Sequence, residues 1–334
     1  MEHAIVHNDL AKEDIKPSEL IHQFIKYVSA FNQENFQQEK LALISCPACH
    51  SRTIDSSFIK LELQYLSCAS CRTIYLNPRP SQKEIKQYFT EAEARQFWLK
   101  NVWMQTADVR RSKILEPFLD WVQVFVGQYF QDRSIRVAEL YPIHWGLLEM
   151  WREKRLQGEY VLVDPYFAES LCPIQLGNLC LPFSTEKKFD VICLPDTLAW
   201  VEKPRDLFQW VAGHLNPNGL CFLTTIFSSG FDVMILKERA SYFVPPERLN
   251  LFSFEALNSL VKQFPFEMLE CSTPGVLDMQ NIHDAYRKNN TSLPSFIKYI
   301  FEMREPNPLF DSFQEFLQAN RLSSQGRMVL QKGS

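Results

Sequence analysis

IRVAELYPIHWGLLEMWREKRLQGEYVLVD, residues 135–164, is the stretch that decides the fold. Its two ends, at 135–140 and 160–164, are short runs rich in aliphatic and β-branched residues, which predict buried strands. Between them, about 146–157 has its apolar residues at helical spacing. A strand, a helix and a second strand in this order predict two parallel strands of one sheet.

Strands and helices alternate downstream in the same way, with strands predicted at 189–194, 220–226, 266–271 and 327–331, and helices at about 204–215 and 253–263. Between the last two strands, a helical insert is predicted at about 276–325. Such alternation is typical of an α/β protein whose parallel sheet is covered by helices on both faces.

Composition narrows the range of functions. The chain has 334 residues and a formal net charge of −4, which argues against a chain-wide basic surface for nucleic acid. The N-terminus lacks a cationic start followed by an apolar run, and acidic residues and a proline break the most apolar stretch, at 114–130. We therefore expect a cytoplasmic protein without a membrane span. Ten glycines amount to about 3%, against an average near 7%, so turns that cradle a cofactor should be few.

Four cysteines form the clearest chemical pattern. Cys46 and Cys49 make one Cys-x-x-Cys pair, and Cys68 and Cys71 make a second pair eighteen residues later. Two such pairs can complete a tetrahedral S4 zinc site, and the spacing is that of a zinc ribbon. Haem attachment through the Cys-x-x-Cys-His sequence at 46–50 is disfavoured by the second, histidine-free pair, and a redox dithiol would not need two pairs.

The chain divides into four predicted regions. A helical leader covers 1–40, the zinc ribbon 41–80, and a helical connector 81–130 that is interrupted at Pro117. The α/β domain then covers 131–334. A capping box at Ser81 and Glu84 predicts where the connector's first helix begins.

Five motifs carry a resemblance to a known family: CPAC at 46–49, CASC at 68–71, NPRPS at 77–81, FDVI at 189–192 and LSSQGR at 322–327. In this order and spacing they resemble the zinc-ribbon branch of the class I S-adenosylmethionine-dependent methyltransferases. The resemblance implies a doubly wound, Rossmann-like sheet, mostly parallel with an antiparallel last strand. It also implies methyl transfer by in-line displacement, which requires alignment more than a covalent nucleophile.

The family resemblance also implies where S-adenosylmethionine would lie, across the carboxyl ends of the first strands. Asp164 would accept hydrogen bonds from the ribose hydroxyls, and Asn178 would face the adenine. Asp196, after the fourth strand, would border the transferred methyl group, either as a general base or as the cap of the following helix.

The family's glycine-rich turn is altered in this chain. The acid that opens the turn is kept as Glu139, whereas Tyr141, Ile143 and Trp145 stand at the three glycine positions. All four would line the cofactor. Glycine serves in such a turn because the backbone bends sharply and approaches the cofactor without a Cβ.

Three functions follow from these features. The first is a methyltransferase acting on a small-molecule, sugar or carrier-bound acceptor. The second is a catalytically inactive member that serves as a binding or assembly module. The third is an RNA methyltransferase using its ribbon, which the ribbon's net charge of only +2 disfavours. The sequence does not indicate an oligomeric state.

Overall fold

The computed structural model describes residues 5–6, 9–37, 40–131, 133–154, 156, 158–288, 292–303 and 307–333. Its strands are β1 Ile54–Lys60, β2 Leu63–Cys68, β3 Ile74–Leu76, β4 Arg136–Leu140, β5 Glu159–Val163, β6 Cys180–Leu181, β7 Phe189–Pro195, β8 Leu215–Ile226, β9 Asn250–Leu251, β10 Phe266–Ser272 and β11 Gln325–Lys332. Its α-helices are α1 Lys12–Ile15, α2 Ser18–Asn35, α3 Gln82–Glu91, α4 Glu93–Phe97, α5 Ala107–Arg110, α6 Glu116–Phe130, α7 Gly146–Glu153, α8 Pro204–His214, α9 Phe231–Leu236, α10 Phe254–Val261, α11 Asp278–Arg287, α12 Ser295–Glu302 and α13 Pro308–Ala319.

The larger sheet has seven strands in the order β10-β11-β8-β7-β4-β5-β6. The strands from β8 to β6 are parallel, whereas β11 runs antiparallel to both β8 and β10. Both faces are covered, since Val137 and Ala138 are fully buried in two different apolar clusters. The predicted doubly wound, mostly parallel sheet with an antiparallel end is confirmed.

The smaller sheet has the order β1-β2-β3-β9. Its first three strands belong to the ribbon, but β9 comes from the α/β region and pairs with β3 through Ile74–Leu251 and Tyr75–Asn250. Buried Arg79 adds to this junction by donating to the Glu202 carbonyl at 2.9 Å and to Asn250 Oδ1 at 3.1 Å. The ribbon is therefore joined to the rest of the chain by backbone pairing.

The connector is helical from Glu93 to Phe130, through π-helical turns at 98–103 and 111–115. The predicted interruption at Pro117 is wrong. Pro117 lies at the start of α6, directly after the π-helical turn at 111–115, and the helix continues through it. The capping box of Ser81 and Glu84 at the start of α3 is confirmed.

Candidate functional site

Three loops meet at the carboxyl edge of the large sheet, because β4, β5 and β7 are parallel. Tyr141, Asp164 and Asp196 directly follow these strands, and all three have left-handed backbones with φ of 53°, 48° and 57°. Left-handed backbone is uncommon for residues other than glycine. The fold thus brings three of the predicted site residues to one edge.

The turn after β4 is tied to the loop after β5. The Tyr141 N–H donates to the Val163 carbonyl at 2.9 Å, and the Tyr166 N–H donates to the Pro142 carbonyl at 2.7 Å. Tyr141 adopts the conformation that a glycine would favour, whereas Ile143 and Trp145 keep negative φ. The strain that a β-branched residue would suffer at positive φ is therefore avoided at Ile143.

An aromatic cluster of Tyr141, Tyr166, Phe183 and Trp210 lies between these loops. The Tyr141 ring is 4.9 Å from the Tyr166 ring and stacks on Phe183 at 5.4 Å, and Phe183 stacks on Trp210 at 5.3 Å. Tyr141 is only 6% exposed. Its side chain thus occupies volume that the family's glycine would leave open.

The other two altered positions face elsewhere. Trp145 is buried and packs edge-on against Phe167, with ring centroids 5.7 Å apart. Ile143 lines a cavity described below. Gly146, the next residue after the turn, begins α7 where an added Cβ would lie 2.7 Å from Leu115 Cδ1. Close helix packing therefore explains this glycine.

Glu139 is buried inside the sheet. One carboxylate oxygen accepts a hydrogen bond from the Tyr160 hydroxyl at 2.8 Å, and the other, Oε1, has no partner among the described residues. Burial raises the pKa of Glu139 to about 8, opposed only in part by the Tyr160 hydrogen bond. The carboxyl is therefore mostly protonated at neutral pH.

Asp164 is bound by a cation that the sequence did not indicate. Lys86 of α3 forms a hydrogen-bonded ion pair with its carboxylate, and the Lys86 ammonium also lies 5.6 Å from the centre of the Tyr166 ring. Asn178 is exposed on a short 3-10 turn at 177–179. The acid expected to bind ribose hydroxyls is thus occupied by a lysine from outside the α/β domain.

Asp196 is held by a second unexpected cation. Arg248 donates from both terminal nitrogens to the two Asp196 oxygens, each at 2.8 Å. The Asp196 side chain makes no capping hydrogen bond to the 3-10 turn at 197–199. This fork geometry fixes the carboxylate firmly and leaves it a salt-bridged acceptor.

A cavity of about 820 Å³ adjoins this edge. The sheet contributes Ile143, Asp196 and Trp200 to its wall, and α1, α2, the ribbon and α11 contribute the opposite side. Tyr141, Asp164 and Asn178 do not line it. Of the predicted cofactor residues, Tyr141 therefore lies in the filled aromatic cluster and Ile143 in this cavity, whereas the others lie elsewhere.

The four ribbon cysteines lie together, with their Sγ atoms all within 4.8 Å of one another. Cys46 and Cys71 Sγ are 3.5 Å apart, and Cys49 and Cys68 Sγ are 3.6 Å apart. A tetrahedral ion with Zn–S bonds of about 2.3 Å would give sulfur separations near 3.8 Å. The cluster can thus hold a zinc ion, and it is the one such group of ligands found in the described residues.

The residues at the sheet edge differ in two respects from the S-adenosylmethionine site that the family resemblance implies. The ring of Tyr141 is buried against Tyr166 in the turn where the family has glycine, and Lys86 binds the acid expected to hold the ribose. Glu139 faces Tyr160 inside the sheet. No motif in the sequence links Lys86 or Arg248 to these acids, because only the tertiary structure places them side by side.

Membrane insertion finds no support in the helices. Among the described residues, none of the helices combines the length and the apolar character that crossing a bilayer requires.

Two solved structures are similar to this chain. The plantazolicin methyltransferase BpumL, solved with SAH, is 12% identical, and the likeness covers 75% of this chain and 94% of that chain with a TM-score of 0.42. A cyclopropane synthase from Mycobacterium tuberculosis is 12% identical, covering 64% of this chain and 84% of that chain with a TM-score of 0.38. No curated protein matches the sequence.

The family profile described as "Methyltransferase domain" matches residues 93–271, more than half of the 334 residues. The match includes the altered turn and both acids of the sheet edge. Together with the strand order and the cysteine cluster, it confirms the resemblance to the zinc-ribbon class I methyltransferases. This chain therefore belongs to the methyltransferase domain family.

Proposed function

We propose that this family member does not bind S-adenosylmethionine in the family's cofactor site and serves as a ligand-binding module. The observation that carries the proposal is the aromatic cluster at the sheet edge. Tyr141 is buried against Tyr166 and Phe183, in the turn where the family has glycine. A cofactor could enter only after this buried ring had moved, with loss of its packing.

The ion pairing and protonation of the three acids support the same conclusion. Asp164 is paired with Lys86, Asp196 is paired with Arg248, and the raised pKa of buried Glu139 keeps that carboxyl neutral. A ribose hydroxyl would have to compete with the Lys86 ammonium for Asp164, replacing an ion pair by a hydrogen bond from an uncharged donor.

A second candidate is an active methyltransferase that acts on a small-molecule, sugar or carrier-bound acceptor. The family match favours it, and so does the cavity that reaches Ile143, Asp196 and Trp200, where the methyl group would be transferred. In this candidate, the Lys86–Asp164 pair opens when the cofactor binds.

Calorimetric titration of S-adenosylmethionine into zinc-replete protein decides between the two. We expect no binding at millimolar cofactor for the wild type. The variant Lys86→Met, which frees Asp164, serves as a comparison, with Lys83→Met on the same helix as its control. Saturable binding to the wild type, or a methylated product that is lost on Asp164→Ala, would contradict the binding-module proposal and establish the enzyme.

A further inference from the structure

The 820 Å³ cavity has walls from the leader, the ribbon, the connector, the sheet edge, the segment 236–248 and α11. The leader contributes Lys12 and Lys16, the ribbon contributes Lys60, α11 ends at the wall with Lys288, and the sheet edge contributes Asp196. A space enclosed by such distant segments is a formed feature of the tertiary structure, of a size that suits a small ligand.

Cations dominate the cavity wall, although the whole chain carries a net charge of −4. Four acids line it, Glu13, Asp196, Glu247 and Asp284, against seven lysines and arginines, Lys12, Lys16, Lys60, Arg95, Arg239, Arg248 and Lys288. Two of the acids are already bound, since Asp196 pairs with Arg248 and Glu247 pairs with Arg95 at 3.2 Å. Apart from these two pairs, the lysines Lys12, Lys16, Lys60 and Lys288 still outnumber the carboxylates Glu13 and Asp284 on the wall.

Lys16 differs from the paired cations of the wall because its ammonium has no carboxylate partner among the described residues. The centre of the Tyr242 ring lies 5.9 Å from this ammonium. The pKa of Lys16 is lowered to about 8, first by burial and then by Arg110, Arg248 and Lys12. Asp196, which Arg248 already binds, acts in the opposite direction and raises the pKa of Lys16.

A desolvated ammonium among other cations is unfavourable unless a counter-charge accompanies it. The apolar part of the same wall includes Phe24, Trp98 and Phe243. A ligand that satisfied both parts would combine an anionic group with an apolar or aromatic body.

We propose that this cavity binds a small molecule that carries an anionic group, a phosphate or a carboxylate, beside Lys16 and Lys12, with its apolar body against the aromatic wall. The inference deepens the proposed binding role and rests on it. Its test contains no S-adenosylmethionine, so the two proposals can fail separately.

The test is calorimetric titration of the whole zinc-replete protein with phenyl phosphate, benzoate and benzyl alcohol. We expect both anions to bind and the neutral alcohol to bind at least about tenfold more weakly, since a hydrogen bond to a charged group contributes that much. The comparison of the two anions distinguishes phosphate from carboxylate.

Lys16→Met keeps the apolar stem and removes the charge, so we expect at least about tenfold weaker binding of phenyl phosphate. Its melting temperature without ligand should not fall, because the ammonium that is lost is half-buried and has no ion pair among the described residues. Lys26→Met, at an exposed position of α2 outside the cavity, is the matched control and should bind as the wild type does. Lys12→Met provides a second variant if Lys16→Met does not fold.

Three results would overturn the proposal. The first is that neither anion binds the wild type at millimolar concentration. The second is that benzyl alcohol binds as tightly as the anions, which would indicate a purely apolar site. The third is unchanged phenyl phosphate binding in the folded lysine variants. It would mean that these lysines are solvated by water and do not contact the anion.

Discussion

The buried carboxyl of Glu139 allows a quantitative test of the altered site through the variant Glu139→Gln. Burial raises the pKa of Glu139 from 4.5 to about 8. The folded protein therefore retains a proton that the unfolded chain releases above about pH 4.5. Glu139 thus stabilises the fold most below pH 4.5, and this advantage is lost as the pH rises to about 8.

The magnitude follows from the two pKa values. Within this window each pH unit changes the free energy of unfolding by about 1.4 kcal/mol, which amounts to about 3–4 kcal/mol between pH 5 and pH 8. Glutamine can still accept the Tyr160 hydrogen bond and does not titrate. Its amide nitrogen would lie where Glu139 Oε1 has no partner, at a pH-independent cost of about 1–3 kcal/mol.

The assay is urea denaturation of the wild type and of Glu139→Gln at several pH values from 5 to 8. The quantity to compare is the difference between the two free energies of unfolding. Asp232, whose pKa burial raises to about 7, contributes equally to both proteins and cancels. Glu267→Gln, at an exposed position on β10, controls for the change of net charge.

We expect the variant to gain about 3–4 kcal/mol relative to the wild type across that range. A difference that stays constant to within about 1 kcal/mol would refute the reasoning. It would mean that Glu139 is ionised in the folded protein, as an acid that faces a cofactor turn would be. The proposal of a lost cofactor site would then lose one of its supports.

Two further predictions concern the ribbon and its junction. Metal analysis should find one zinc per chain, and Cys46→Ser should lose the metal and melt at a lower temperature, because structural zinc contributes to folding. The control Cys172→Ser, outside the cluster, should keep the metal. A folded wild type without metal would contradict this prediction. Arg79→Ala should lower the free energy of unfolding, measured in urea, by about 3 kcal/mol because it leaves buried acceptors unpaired. The control Arg52→Ala, at an exposed position, should change it little. Equal effects of the two substitutions would show that the hydrogen bonds of Arg79 do not stabilise the junction.

Local patterns predicted most of the fold. The strands and helices of the α/β region follow from apolar periodicity, which each segment carries in its own residues. The cysteine cluster was predictable for a similar reason, since each Cys-x-x-Cys pair fixes two thiols locally. The two-residue strand β9 was missed because it is ordered by its pairing with β3 and has no periodicity of its own.

The site was less predictable than the fold. The sequence identified Tyr141 as the first lost glycine, but not the rings of Tyr166 and Phe183 that pack against it. It gave no indication that Lys86 binds Asp164 or that Lys16 enters a cavity. Long charged side chains are placed by tertiary contacts, and no spacing rule links them to partners on distant elements.

The pairing of β3 with β9 has a consequence for biosynthesis. Asn250 follows its partner Tyr75 by 175 positions, so a ribosome adding about 5–20 residues per second would leave the ribbon's edge unpaired for about 9–35 s. The four thiols all lie between 46 and 71, so the complete ligand set emerges long before β9 does. An ion captured by them would keep the emerging ribbon ordered, and its open edge shielded from wrong partners, until the second half of the chain arrives.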